Sequence, residues 1–277
     1  MKNKLKAIVF CIIAVVILAI SQGIAMIIGS LFSILGLPDF IEAFVDSILY
    51  PVLSFIGLKL TAEKIFKYSL KDFRIKKPEI KWYWVVVSVL LPLSVIAMFQ
   101  FISGEWIINE VGLITKISII VWGILFYGVA VGIVEEMVFR GVIMGVLEKE
   151  FNLKIAIIVP SVLFGLVHII GISLDIMSII QLIIAGTMVG IMFSLIEYQS
   201  GNFWNNAITH GLWNALIIGI FHIGLEKSDS SLLSYVFNSD SFIISGGDFG
   251  IESSIFAITG YVVVSVIALV LIKKKRV

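Results

Sequence analysis

Three polar clusters stand inside otherwise apolar sequence, and their side chains are the ones able to do chemistry. Glu135-Glu136-Met137-Val138-Phe139-Arg140 supplies two carboxylates and a guanidinium. Phe164-Gly165-Leu166-Val167-His168 supplies one imidazole, and His210-Gly211-Leu212-Trp213-Asn214 a second imidazole with an amide. A carboxylate held away from bulk water can serve as a general base. Imidazole N–H and amide NH₂ groups are suited to hold an oxyanion. Together these types allow attack of an activated water on a carbonyl. The same inventory permits a different chemistry, because Glu135, His168 and His210 would make a three-ligand zinc site with an open water position. No His-Glu-x-x-His stretch is present, so such a site would not be of the zincin kind.

Spacing says which of these groups can meet. Glu136 and Arg140 are four apart, on one helix face, and can form an ion pair. Glu135 points about 100° away and is left for other work. His210 and Asn214 also share a face, and His168 stands one turn beyond Phe164. Measured from a turn at residues 148–154, Glu135 and His168 both lie roughly 20 Å along their helices, and His210 lies about 14 Å beyond Gly201. The three clusters therefore fall at comparable depths. Taken singly, each has a plain structural reading: a helix-bridging histidine, a buried ion-pair lock or a proton relay. Taken together they point to one site. His222, Gln181, Asn205, Asn206 and Asp46 are read as packing or span-end polar groups.

The elements that carry them are membrane helices. Of 277 residues, 60% are apolar and 14% charged, and the mean hydropathy is +1.11. Soluble domains sit nearer 45–50% apolar and about 25% charged. A span needs about 20 apolar residues, and such runs occupy residues 8–34, 40–58, 82–102, 113–147, 155–170, 176–196, 203–223 and 255–272. The expected fold is all-α: one polytopic domain over residues 1–277 with eight spans, the motif-bearing core at about 113–224, and a polar site buried in the bundle. The basic, apolar N-terminal stretch has the look of a signal peptide but runs on apolar to residue 35, so it is read as the first span. Cys11 is the only cysteine, which excludes a disulfide framework. Gly141–Gly145 and Gly186–Gly190 have the spacing that lets membrane helices approach closely.

Charge segregation gives an orientation. Lys2, Lys4 and Lys6, then Lys59, Lys64, Lys67, Lys71, Arg74, Lys76, Lys77 and Lys81, and finally Lys273–Arg276 fall on one side of eight spans. Glu105, Glu110, Glu226, Asp229, Asp240, Asp248 and Glu252 fall on the other, with Lys227 alone against them. The positive-inside rule places both termini in the cytosol. The expected setting is a multi-pass protein of a prokaryotic cell membrane. A net charge of +1 offers nothing to nucleic acid.

In order and spacing, the three clusters resemble the motif series of the CAAX prenyl protease and bacteriocin-processing family of intramembrane endopeptidases: Glu-Glu-x-x-x-Arg at Glu135, Glu136 and Arg140, Phe-x-x-x-His at Phe164 and His168, and His-x-x-x-Asn at His210 and Asn214. The motif region covers residues 117–218, roughly a third of the chain. The resemblance implies that Glu135 and His168 activate water for peptide hydrolysis and that His210 and Asn214 hold the oxyanion. Glu136 and Arg140 would be a supporting pair. The implied partner is a peptide or protein substrate reached through the bilayer. A metal-free reaction is the favoured expectation, with zinc as the alternative. Rival classes are a non-catalytic membrane regulator or bacteriocin-immunity protein on the same scaffold, and a secondary transporter, although the paired broken helices of transporters are not evident.

Overall fold

The computed structural model describes residues 2–69 and 73–275; Lys71 and Arg276 of the basic segments lie outside them. Helices dominate: α1 (Lys2–Ile34), α2 (Asp39–Leu60), α3 (Trp82–Phe99), α4 (Leu113–Glu150), α5 (Leu153–Val167), α6 (Ile176–Ser200), α7 (Trp204–Trp213) and α8 (Ile255–Lys275). Six of these are long and apolar enough to cross a membrane, namely α1, α2, α3, α4, α6 and α8. The fifth and seventh expected spans are shorter. Helix α5 has 15 residues. Helix α7 continues as a π-helical turn over Asn214–Ile220 and then becomes strand at Phe221. The outward faces of α1, α2, α3 and α8 carry exposed side chains such as Ile27, Leu31, Val52, Leu90, Val263 and Val270, the surface expected against lipid.

Local signals account for the helix ends around the site. Asn152 caps α5 by accepting from Ile155 N at 3.0 Å, and Asp175 caps α6 by accepting from Met177 N at 2.6 Å and Ser178 N at 2.9 Å. Gly201, with φ +71°, closes α6 in the left-handed conformation that an unbranched backbone permits. Helix α4 runs unbroken for 38 residues but widens into π-helical turns at Trp122–Val131 and Met137–Ile143. Such turns recur at functional sites because they re-aim the side chains that follow.

Glycine sets the closest crossings. A Cβ on Gly219 would stand 2.3 Å from Gly123 Cα, so α4 and the end of α7 touch through backbone. A Cβ on Gly186 would stand 2.5 Å from Gly165 Cα, fixing α5 against α6. The Gly141–Gly145 pair behaves differently from the helix–helix expectation: it receives Ile75 and Phe73 of the connection between α2 and α3.

The two ends of the bundle differ as the charges do. Residues 73–81 are strapped across one end: Arg74 pairs with Glu148 at 2.6 Å and Glu197 at 3.2 Å, Lys81 N donates to Asn205 Oδ1 at 2.8 Å, and Asn202 Nδ2 donates to Lys77 O at 2.8 Å. Lys275 reaches Gln199 O at that same end. The opposite end carries the acidic connections. There the structure adds to the all-helical expectation a three-stranded sheet, order β1-β3-β2, from Gly104–Ile108, Leu233–Phe237 and Phe221–Gly224. Strand β1 pairs antiparallel to β3, and β2 parallel to it. The expected third and seventh helices end short of residues 102 and 223 because their last residues turn into or toward this sheet.

Candidate functional site

Helices α4, α5, α6 and α7, with Gln22 of α1, residues 249–253 and Tyr261 of α8, line a cavity of about 250 Å³. Glu135, His168, His210 and Asn214 all line it. Three motifs separated by up to 79 positions (135 to 214) thus reach one space.

Glu136 and Arg140 lie behind the cavity wall, both fully buried. Arg140 Nη1 donates to Glu136 Oε1 at 3.0 Å, and Nη2 donates to Gly190 O on α6 at 3.2 Å. Its guanidinium lies 4.7 Å from the Phe164 ring centroid and 5.0 Å from that of Phe193. Aromatic faces and a carbonyl take the place of water around the charge.

The same Glu136 oxygen meets His210 Nδ1 at 2.9 Å. A carboxylate oxygen accepts, so the ring nitrogen carries the proton there. His168 follows the same logic one helix away. Its Nδ1 lies 2.6 Å from Phe164 O, and a carbonyl can only accept. In their neutral forms both rings therefore keep the lone pair on Nε2. For His210 this constrains the oxyanion role that its motif implies: Nε2 donates only from the doubly protonated ring. His210 Nε2 lies 3.9 Å from Glu135 Oε2, and the ring stacks on Phe193 with centroids 5.0 Å apart.

Glu135 is placed one residue round the helix from the ion pair, and its Oε2 is buried with no hydrogen-bond partner. Asn214 begins the π-helical turn of α7. Its Nδ2 donates one hydrogen to Tyr127 O at 3.1 Å, which leaves the second for the cavity.

The metal alternative can be tested on donor geometry. Among the described residues no three His, Cys, Asp or Glu side chains are grouped so as to hold a metal ion. The set Glu135, His168 and His210 as placed does not fit one, and no step below passes through a metal.

Several residues of the site have no motif to announce them. Glu252 lines the cavity and accepts from Trp213 Nε1 at 2.9 Å; in the sequence it is one acid among several in a polar connection, three residues before the last span. Tyr127, Phe249 and Tyr261 line the cavity too. Of the residues read as packing or span-end polar groups, Asn206 Nδ2 donates to Phe193 O at 2.8 Å, Gln181 Nε2 to Ser253 O at 2.8 Å, and Asn205 Oδ1 receives Lys81 N. His222 lies in β2, its Nε2 3.1 Å from Glu226 O. Asp46 is buried between α1 and α2 with neither oxygen hydrogen-bonded.

Residues 117–216 match the family model described as type II CAAX prenyl endopeptidase Rce1-like. No curated protein and no solved structure matches the chain.

Proposed function

We propose that the chain is an intramembrane endopeptidase of the CAAX prenyl endopeptidase kind, whose family model residues 117–216 match, and that Glu135 and His168 activate water in it. The observation that carries this reading is the state of Glu135: its neighbour Glu136 takes both Arg140 and His210 on one oxygen, while Glu135 lines the cavity and its Oε2 makes no hydrogen bond, 3.9 Å from His210 Nε2. A base must have its lone pair free for the proton it takes.

In the proposed reaction Glu135 removes a proton from water while the water oxygen attacks the scissile carbonyl carbon. Negative charge gathers on the carbonyl oxygen, where the second Nδ2 hydrogen of Asn214 and the Nε2–H of doubly protonated His210 hold it. The proton passes to the amide nitrogen, the C–N bond breaks, and the products are a carboxylate and an amine. His168 Nε2, a lone pair fixed by the Phe164 carbonyl, is suited to share the water proton with Glu135. No metal is required by this scheme. With the basic end of the bundle in the cytosol, both termini are cytosolic and the cavity lies toward the opposite leaflet.

The test uses purified protein in proteoliposomes against a peptide library. Wild type cleaves and Glu135→Gln, folded and inserted, loses at least about 10²-fold in rate; chelation leaves the wild-type rate intact. Near-normal cleavage by Glu135→Gln sinks the mechanism and leaves the non-catalytic regulator. Stoichiometric zinc that disappears in His168→Ala and His210→Ala overturns the metal-free version.

A further inference from the structure

The cavity holds a carboxyl group that its family-type motifs do not account for. Glu252 enters it from the 3₁₀ turn Ile251–Ser253, outside the matched segment. It lines the same space as His168, His210 and Glu135. The turn is fixed in place on every side. Trp213 Nε1, adjacent to Asn214, donates to Glu252 Oε1. Tyr261 OH donates to Glu252 O at 3.2 Å, and Gln181 holds Ser253 O. Asp248 N donates to Ser178 Oγ at 2.9 Å, and Asp175 N to Asp248 Oδ2 at 3.0 Å.

No lysine or arginine is among the described residues lining the cavity. The nearest guanidinium, Arg140, is fully buried behind the wall and engaged by Glu136 and Gly190. Two carboxylates and the imidazoles of His168 and His210 therefore share a small space walled largely by Phe126, Phe164, Leu182, Val189 and Phe193; with His210 doubly protonated, one negative charge is left over. Uncompensated charge in apolar surroundings is unfavourable, and a ligand that brings the opposite charge is selected over one that does not.

We propose that Glu252 is a specificity residue that binds a cationic group of the substrate, so that this endopeptidase prefers peptides with an ammonium or guanidinium group beside the scissile bond. This rests on the endopeptidase reading above. Two sources share that chemistry, a lysine or arginine side chain and a free N-terminal amine. The acidic connections around this end of the bundle, with Asp175, Asp240 and Asp248, favour approach of such a peptide from the same side.

The experiment uses full-length protein in proteoliposomes and two sets of quenched fluorescent peptides. The first set is N-acetylated and differs only in lysine, acetyl-lysine or norleucine near the cleaved bond. The second lacks lysine and differs only in a free or acetylated N-terminus. The readout is the ratio of kcat/KM for cationic over neutral members within each variant. Wild type favours the cationic member of one set by about tenfold or more, and the set that responds names the source. In Glu252→Gln, which can still accept from Trp213, that ratio falls toward one; in Glu252→Asp, which keeps the charge, it persists. A wild-type ratio near one, or a preference that survives Glu252→Gln, overturns the proposal while leaving the endopeptidase reading standing. Loss of neutral-peptide cleavage in Glu252→Gln with unchanged thermal unfolding makes Glu252 part of the chemistry and also overturns it. If wild type cleaves neither set, the endopeptidase reading falls and this proposal with it.

Discussion

His210 donates its Nδ1 proton to Glu136 across 2.9 Å, joining α7 to α4 through a carboxylate that Arg140 already holds at 3.0 Å. One oxygen thus ties together two motifs 74 residues apart. The arrangement fixes which ring nitrogen of His210 faces the cavity, and it leaves Glu135 Oε2 without a hydrogen bond, 3.9 Å from His210 Nε2. The pair that motif spacing presents as a local lock is also the device that orients the second histidine.

Arg140→Ala should lower stability by about 3–5 kcal/mol, the range for removing one partner of a buried ion pair and leaving the other charge exposed to apolar surroundings. Thermal unfolding in detergent measures this. Full loss of activity with an unchanged unfolding temperature would instead place Arg140 in direct contact with substrate.

Asn214→Ala and His210→Ala should each lower kcat by about 10²–10³, as expected for one lost oxyanion donor. His210→Ala should in addition lower the unfolding temperature, because it leaves Glu136 with only Arg140. A variant pair with rates within a few-fold of wild type would remove both residues from the oxyanion role.

Gly186→Val should destabilise the α5–α6 contact by about 1–3 kcal/mol, the usual range for forcing extra volume into a packed site. The obstacle is the Gly165 backbone, 2.5 Å from the new Cβ, which has no rotamer with which to yield. Gly171→Ser, at a turn glycine with open space around it but φ +83°, makes a useful contrast, since any loss there reports local strain rather than helix packing. Equal unfolding temperatures for wild type and Gly186→Val would contradict the close crossing.

Asp175 gives a pH dependence at the head of α6. The Ser178 backbone N–H, and then its hydroxyl, hold the Asp175 carboxylate below its ordinary value of 3.8. A depressed folded-state value means that the cap contributes in full above the unfolded value and is lost as pH falls through the lower, folded one. Amide exchange at Met177 and Ser178 should therefore quicken only in that acid window. Asp175→Asn, still a cap but not titratable, should show no such step; a step that remains in it would assign the titration elsewhere.

The membrane class and the motif geometry were legible from sequence because both rest on local rules. Hydropathy marks a span whatever its neighbours are, and the separation of Glu136 from Arg140 depends only on helical rise and turn. Even the common depth of Glu135, His168 and His210 follows from counting residues to a turn. What rise along an axis does not supply is the rotation of one helix against another. Contacts such as His210 with Glu136 depend on that rotation, which here is set by glycine-to-glycine crossings and by π-helical turns that re-aim α4 and α7. The short seventh helix and its part of the small sheet were hidden for a related reason: Phe221 and Ile223 are as apolar as a span, and only pairing with β3 makes them strand. Glu252 was the least visible, since an acid in a polar connection carries no period or motif. Its place in the cavity exists only because Trp213, Tyr261 and Gln181 hold the 251–253 turn against the bundle.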